Sequence, residues 1–172
     1  MPVDEPWLVY ARGWTCAGRL LKLETNFMSD RYFVDTNILM YAHDTGAGVK
    51  HDRARTLVEG LWRERSGVLS TQVLQELCVN LRRKAGRPVD MKGAREIVED
   101  YLSWQVVVNG AESILAALEL EEHYHISFWD ALVIHAAQVA GAEILYSEDL
   151  SDGQLYGSVR VVNPLTDGHA AL

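Results

Sequence analysis

The chain has 172 residues, 48% of them hydrophobic and 23% charged, which suits one domain with a sizeable core and leaves little room for two. A net charge of -8 argues against a protein that grips nucleic acid through a broad basic face, because neutralising phosphates needs clustered Lys and Arg. No apolar run reaches membrane-span length, Asp4 and Glu5 stand where a secretory leader is basic, and Cys16 and Cys78 match no paired metal spacing, so the expectation is a cytoplasmic protein with reduced thiols, no disulfide framework and no zinc site.

Residues 1–27 carry scattered Trp7, Tyr10 and Trp14 without sustained periodicity; they read as an N-terminal extension outside the core, with Met28 an alternative start of a domain over 28–172. From Arg31 onward, strands alternate with helices. Residues 32–35 are extended and apolar, 38–43 form a helical turn, and 51–65 form a helix with Ala54, Leu57, Val58, Leu61 and Trp62 at helical spacing. A second strand covers 67–70. The helix over 71–84 gathers Val73, Leu74, Leu77 and Leu81 on one side and is ended by Gly86-Arg87-Pro88. A helix over 88–102, a strand over 105–108 and a helix over 111–123 follow. Residues 127–140 form an almost wholly apolar helix stopped by Gly141, and 143–146 and 159–162 are the last strands. This alternation predicts an α/β fold, a three-layer α/β/α sandwich around a mostly parallel sheet of about five strands. Such sheets take their ligands at the carboxyl ends of the strands.

Asp35, in Phe33-Val34-Asp35-Thr36-Asn37, and Asp149, in Ser147-Glu148-Asp149, both fall where a strand runs out. Glu76 sits on the border of the apolar stripe of its helix, and Asp130 shares a face with Val133, Ile134 and Ala137. Each of the four borders a strongly apolar run, where an unpaired ionised carboxylate is expensive to desolvate. Together they suggest a shared hard cation, Mg2+ or Mn2+, that compensates their charge. Blander readings exist: Glu76 alone suits a helix surface, and Ser127 with Asp130 forms a capping box. Thr36, Asn37 and Ser147 add groups that can position metal-bound water, and each equally suits a turn or an N-cap. Asp44, Glu148 and Asp152 are candidate extra acids, though such residues are more often solvated. His123 and His125, two residues apart, cannot converge on one helix face. Arg82, Arg83, Lys84 and Arg87 form a candidate RNA-contacting patch, or equally the solvated end of a helix whose dipole favours cations.

At Val34-Asp35-Thr36-Asn37, at Glu76 early in the helix after the second strand, at Trp129-Asp130-Ala131 and at Ser147-Glu148-Asp149, the chain resembles the PIN domain, in particular the VapC-type toxins of bacterial toxin-antitoxin pairs. The resemblance covers about residues 31–165. It implies a single-strand-selective endoribonuclease dependent on Mg2+ or Mn2+, often a homodimer, neutralised by a cognate antitoxin, with Asp35, Glu76, Asp130 and Asp149 as its metal-holding and catalytic set. Ser147 stands where the family often has Thr, a mild chemical change, and the N-terminal extension departs from the compact family pattern. The chemistry expected is metal-assisted phosphodiester hydrolysis without a side-chain nucleophile. Three alternatives compete. A receiver-like Mg2+-binding regulatory domain would phosphorylate Asp35 but wants a Lys where Tyr146-Ser147-Glu148-Asp149 stands. A haloacid-dehalogenase-like phosphatase wants a second Asp at Asn37. A PIN-like nuclease acting on DNA is the nearest enzymatic alternative.

Overall fold

The computed structural model of the chain describes residues 30–166; the extension expected over 1–27 and the start expected at Met28 lie outside them. In chain order the elements are β1 (Tyr32–Val34), α1 (Thr36–His43), a 3-10 turn (Thr45–Ala47), α2 (Val49–Glu64), β2 (Gly67–Ser70), α3 (Thr71–Arg83), α4 (Met91–Tyr101), β3 (Gln105–Val107), α5 (Ala111–Tyr124), α6 (Phe128–Val139), β4 (Ile144–Tyr146), β5 (Leu155–Tyr156) and β6 (Val159–Val162). The sheet order is β3-β2-β1-β4-β6-β5, parallel except for the antiparallel β5–β6 pair. Among the described residues no helix is long and apolar enough to cross a membrane.

The α/β fold with its mostly parallel sheet is the one the alternation predicts, with two differences. The sheet has six strands rather than about five. β5 is only two residues long, too short to display alternation, and it exists through its hairpin: Gly153 N donates to Val161 O at 2.9 Å, and Gly153 and Gly157 take φ of +78° and +63°, which glycine tolerates. The helix expected from residue 88 begins instead at Met91, because Asp90 caps it by accepting from Gly93 N at 2.7 Å. The preceding chain is tied back to α3 by Val89 N donating to Leu81 O.

β1 lies between β2 and β4, and Phe33 and Val34 are fully buried. The chain leaves β1 for β2 on one side and reaches β4 on the other, so the carboxyl end of β1 is the switch point at which a crevice opens. α3 is anchored beside it: the Ser70 hydroxyl accepts from Val73 N, and Val73, Leu77 and Leu81 are fully buried at helical spacing. On the far side of the core, Trp104 packs edge-on against Trp62 and Tyr101, with ring centroids 5.1 and 5.3 Å apart. Gly67 is there because a Cβ on it would lie 2.2 Å from the Trp104 ring. Gly67→Ala is expected to lose about 1–3 kcal/mol through overpacking, a fall of several degrees in the melting temperature. An unchanged thermal melt would show that Trp104 moves aside freely.

Candidate functional site

Asp35 follows the last residue of β1 and caps α1, so strand geometry and helix start together fix its carboxylate at the sheet edge. Its Oδ1 accepts from Thr36 N at 2.6 Å, and its Oδ2 accepts from the Ser147 hydroxyl at 2.7 Å and from Asn37 Nδ2 at 3.0 Å. The side chain is 8% exposed. Burial pushes its pKa up to about 6; the hydrogen bonds from Ser147 and Thr36 pull it back only in part, and the charges of Asp149 and Glu76 add to the rise.

Asp149 arrives from the end of β4. Asn37 Nδ2 donates to its Oδ2 at 3.0 Å, so a single amide bridges Asp35 and Asp149. The same Asn37 accepts from Glu148 N through Oδ1 at 3.2 Å, which fixes which way the amide points. Ser147, fully buried, accepts from Asp149 N while donating to Asp35. Glu76, half-buried on α3, accepts from the Thr36 hydroxyl at 3.2 Å and from Gln72 Nε2 at 2.9 Å. Asp130 opens α6: its Oδ2 accepts from the Ser127 hydroxyl at 2.7 Å, and Ser127 accepts from Asp130 N at 3.1 Å. The N-cap half of the capping box expected from the sequence is present, but the Asp130 carboxylate takes the Ser127 hydroxyl rather than the Ser127 backbone N–H that would close the box. Asp130 also lines the same groove as Asp35, Glu76 and Asp149. Among the described residues no three His, Cys, Asp or Glu side chains already surround one point at ligating distance. The links between the acids run instead through the donors of Asn37 and Thr36.

The acids that read as solvated in the sequence are all engaged. Asp44 accepts from Gly46 N and Gly86 N, each at 3.0 Å, tying the end of α1 to the loop after α3. Glu148 is ion-paired with Lys50, whose Nζ also donates to the Tyr41 hydroxyl at 3.3 Å; although burial raises the Glu148 pKa, the Lys50 and Tyr41 hydrogen bonds outweigh it and the pKa is lowered. Asp152 accepts from Asn163 N at 2.9 Å. Of the basic patch, Arg82, Arg83, Lys84 and Arg87 are all exposed, but only Lys84 lines the groove. Arg82 and Arg83 occupy the last turn of α3, where cations favour the helix dipole.

Gln72 is a site residue that the sequence pattern does not single out. It is 5% exposed, donates to Glu76 and, at 3.4 Å, to Trp129 O, and its Oε1 faces Asn109 Nδ2 at 3.5 Å. It therefore orients Glu76 and joins α3 to the start of α6. The signal it does leave is an amide four residues before Glu76, at the start of a polar row that Asn80 and Lys84 continue.

The profile of the PIN domain family matches residues 32–151. A comparison with curated proteins found no match. Among solved structures, similar folds include the Sarcin-Ricin loop cleaving toxin VapC20 of Mycobacterium tuberculosis, at 24% identity and a TM-score of 0.53, covering 67% of this chain and 88% of that one. A toxin-antitoxin complex from Klebsiella pneumoniae is similar at 19% identity and a TM-score of 0.57, covering 77% of this chain and 97% of that one. The DNA-bound VapBC of Salmonella typhimurium is similar at 14% identity and a TM-score of 0.56, covering 77% and 96%. At these identities the likeness is one of fold.

Proposed function

Because the chain belongs to the PIN domain family, we propose that it is a Mg2+- or Mn2+-dependent endoribonuclease, acting in the cytoplasm as the toxin of a toxin-antitoxin pair. The observation that carries this reading is Asp35. It is a buried carboxylate pushed up to about 6, facing Asp149 and Glu76, and among the described residues no cationic side chain pairs with it. A site that gathers acids against their own repulsion is explained by a cation that completes it, and an all-oxygen donor set suits Mg2+ or Mn2+. Similar folds that are themselves toxins or toxin-antitoxin complexes support the toxin role and a cognate antitoxin as partner, and the one described as cleaving the Sarcin-Ricin loop supports RNA as substrate. A homodimer belongs to the same reading; Ile114, Leu115 and Leu118 leave an apolar exposed patch on α5 that a second copy would cover. A receiver-like domain finds no support in the family match.

Asp35, Glu76, Asp130 and Asp149 would hold the cation. When bound, it would activate water and stabilise charge developing on the scissile phosphate. The chain's own work is orientation. Asn37 keeps Asp35 and Asp149 on one side of the groove, Ser147 fixes the Asp35 oxygen through its hydroxyl, and Thr36 and Gln72 hold the two oxygens of Glu76. Incubating total RNA with the purified protein in Mn2+ or in EDTA, then mapping the new ends, tests the proposal: cuts at defined positions in Mn2+ alone are expected, and no cuts, or the same cuts in EDTA, would overturn it. Gln72→Ala is expected to slow cleavage about 10–100-fold, the usual cost of losing a group that orients a metal ligand. The loss should fall mainly on kcat, while stability falls by about 1 kcal/mol with the hydrogen bonds. Wild-type rates in that variant would show that Glu76 needs no support.

A further inference from the structure

The groove that holds the acids continues well beyond them. Gln72, Glu76, Asn80 and Lys84 recur at every fourth position of α3 and its cap, and all four line the groove. At a rise of 1.5 Å per residue, Gln72 to Lys84 spans about 18 Å, with Glu76 about 6 Å from one end and about 12 Å from the other.

The two ends differ in chemistry. At the Gln72 end, Trp129 lines the groove with 61% of its surface exposed, held there by the bond from Gln72 Nε2 to its carbonyl. At the far end, Lys84 is the one cation among the described residues that line the groove, and it forms no ion pair among them. Asp44 lies nearby, but both its oxygens are occupied by the N–H groups of Gly46 and Gly86. The Gly86 bond pins the chain two residues past Lys84 to the end of α1, which fixes the base of the lysine.

Five carboxylates, Asp35, Asp44, Glu76, Asp130 and Asp149, face one ammonium in this groove. A polyanion can therefore touch it at only two places: where a cation compensates the acids, and at Lys84. Resting on the ribonuclease reading above, we infer that the groove is a track for a single RNA strand, with a base stacked on Trp129, the scissile phosphate at the acids and a flanking phosphate paired with Lys84. Stacked strands advance about 3.4 Å per phosphate and extended ones more, so Lys84 takes a phosphate about two to four nucleotides from the cut, while the Trp129 side accepts about one or two. Lys84 is a substrate-binding residue, distinct from the exposed arginines outside the groove, and the track is longer on one side of the cut than on the other.

The test measures binding of labelled single-stranded RNA by fluorescence anisotropy, and single-turnover cleavage in Mn2+, for wild type, Lys84→Ala, Trp129→Ala and an Arg82→Ala, Arg83→Ala control. Trp129→Ala should weaken binding roughly tenfold through lost stacking. Lys84→Ala should lower the slope of log affinity against log salt by about 0.7, the value of one phosphate contact on a single strand. Its effect should vanish when the RNA is shortened on one side of the cut, with the melting temperature unchanged throughout. Wild-type affinity and salt slope in both single variants would overturn the track. So would losses independent of RNA length, or an equal loss in the arginine control. Length-dependent binding by a wild-type protein that cuts no RNA would fault the ribonuclease reading while leaving the track in place.

Discussion

Asp35→Asn is expected to abolish RNA cleavage and at the same time to raise the melting temperature of the metal-free protein at pH 8. The two effects have one cause. The Asp35 carboxyl has its pKa raised from an ordinary 3.8 to about 6, chiefly by burial. A raised carboxyl pKa means that the folded state binds the proton more tightly than the unfolded chain does. The associated stability is fully present below about pH 4 and is lost as pH rises through about 6. Above that, ionised Asp35 costs the metal-free fold about 3 kcal/mol. Asparagine removes the charge at nearly constant volume. It cannot accept from Thr36 N, Asn37 Nδ2 and the Ser147 hydroxyl as the carboxylate does, so the net gain should be smaller, about 1–2 kcal/mol or roughly 3–6 °C. The gain should shrink as pH falls below 6. A melting temperature that drops at pH 8, or cleavage that survives in Mg2+, would remove Asp35 from the centre of the site.

Much of this site is legible in the amino-acid sequence, because Asp35 and Asp149 announce themselves as acids at the ends of apolar strands and the parallel sheet brings such ends together. The parts that are not legible depend on contacts distant in sequence. Gln72 acquires its role from Trp129 and Asn109, 57 and 37 residues away. Asp44 is tied rather than solvated because Gly86, 42 residues on, donates to it. Glu148 reads as a spare acid along the chain, and only the fold, through α2, delivers Lys50 to it. β5 leaves no trace in the pattern because two residues carry no period, and its hairpin with β6 is what forms it. The start of α4 is ambiguous for a local reason: Pro88 offers one helix start and Asp90 a better one two residues later.

The second large effect expected is stabilisation by Mn2+. A cation that binds the folded chain and not the unfolded one stabilises by about 2.7 kcal/mol at a hundred times its dissociation constant, roughly 5–10 °C in a domain of this size. Because a proton competes for Asp35 with a pKa of about 6, the stabilisation should be large at pH 8 and mostly lost at pH 5. In an Asp35→Asn, Asp149→Asn double variant it should disappear at both. The same field offers an antitoxin its means of inhibition: an Arg extended into the groove would take the cation's place beside Asp35 and Asp149. Changing that Arg to Ala should leave the antitoxin bound and the nuclease partly active. Undiminished Mn2+ stabilisation in the double variant would place the cation elsewhere.

The most direct test is a titration of Mn2+ against the cleavage rate of one labelled RNA, in wild type and in Asp149→Asn. Asp149 is exposed and its side chain is linked to Asp35 through Asn37, so its loss should weaken the cation's hold without disturbing the fold. If the acids hold the cation, the Mn2+ concentration for half-maximal rate should rise tenfold or more, with activity partly recovered at high Mn2+. An unchanged half-maximal concentration with a uniformly lower rate would contradict a metal site built from these carboxylates.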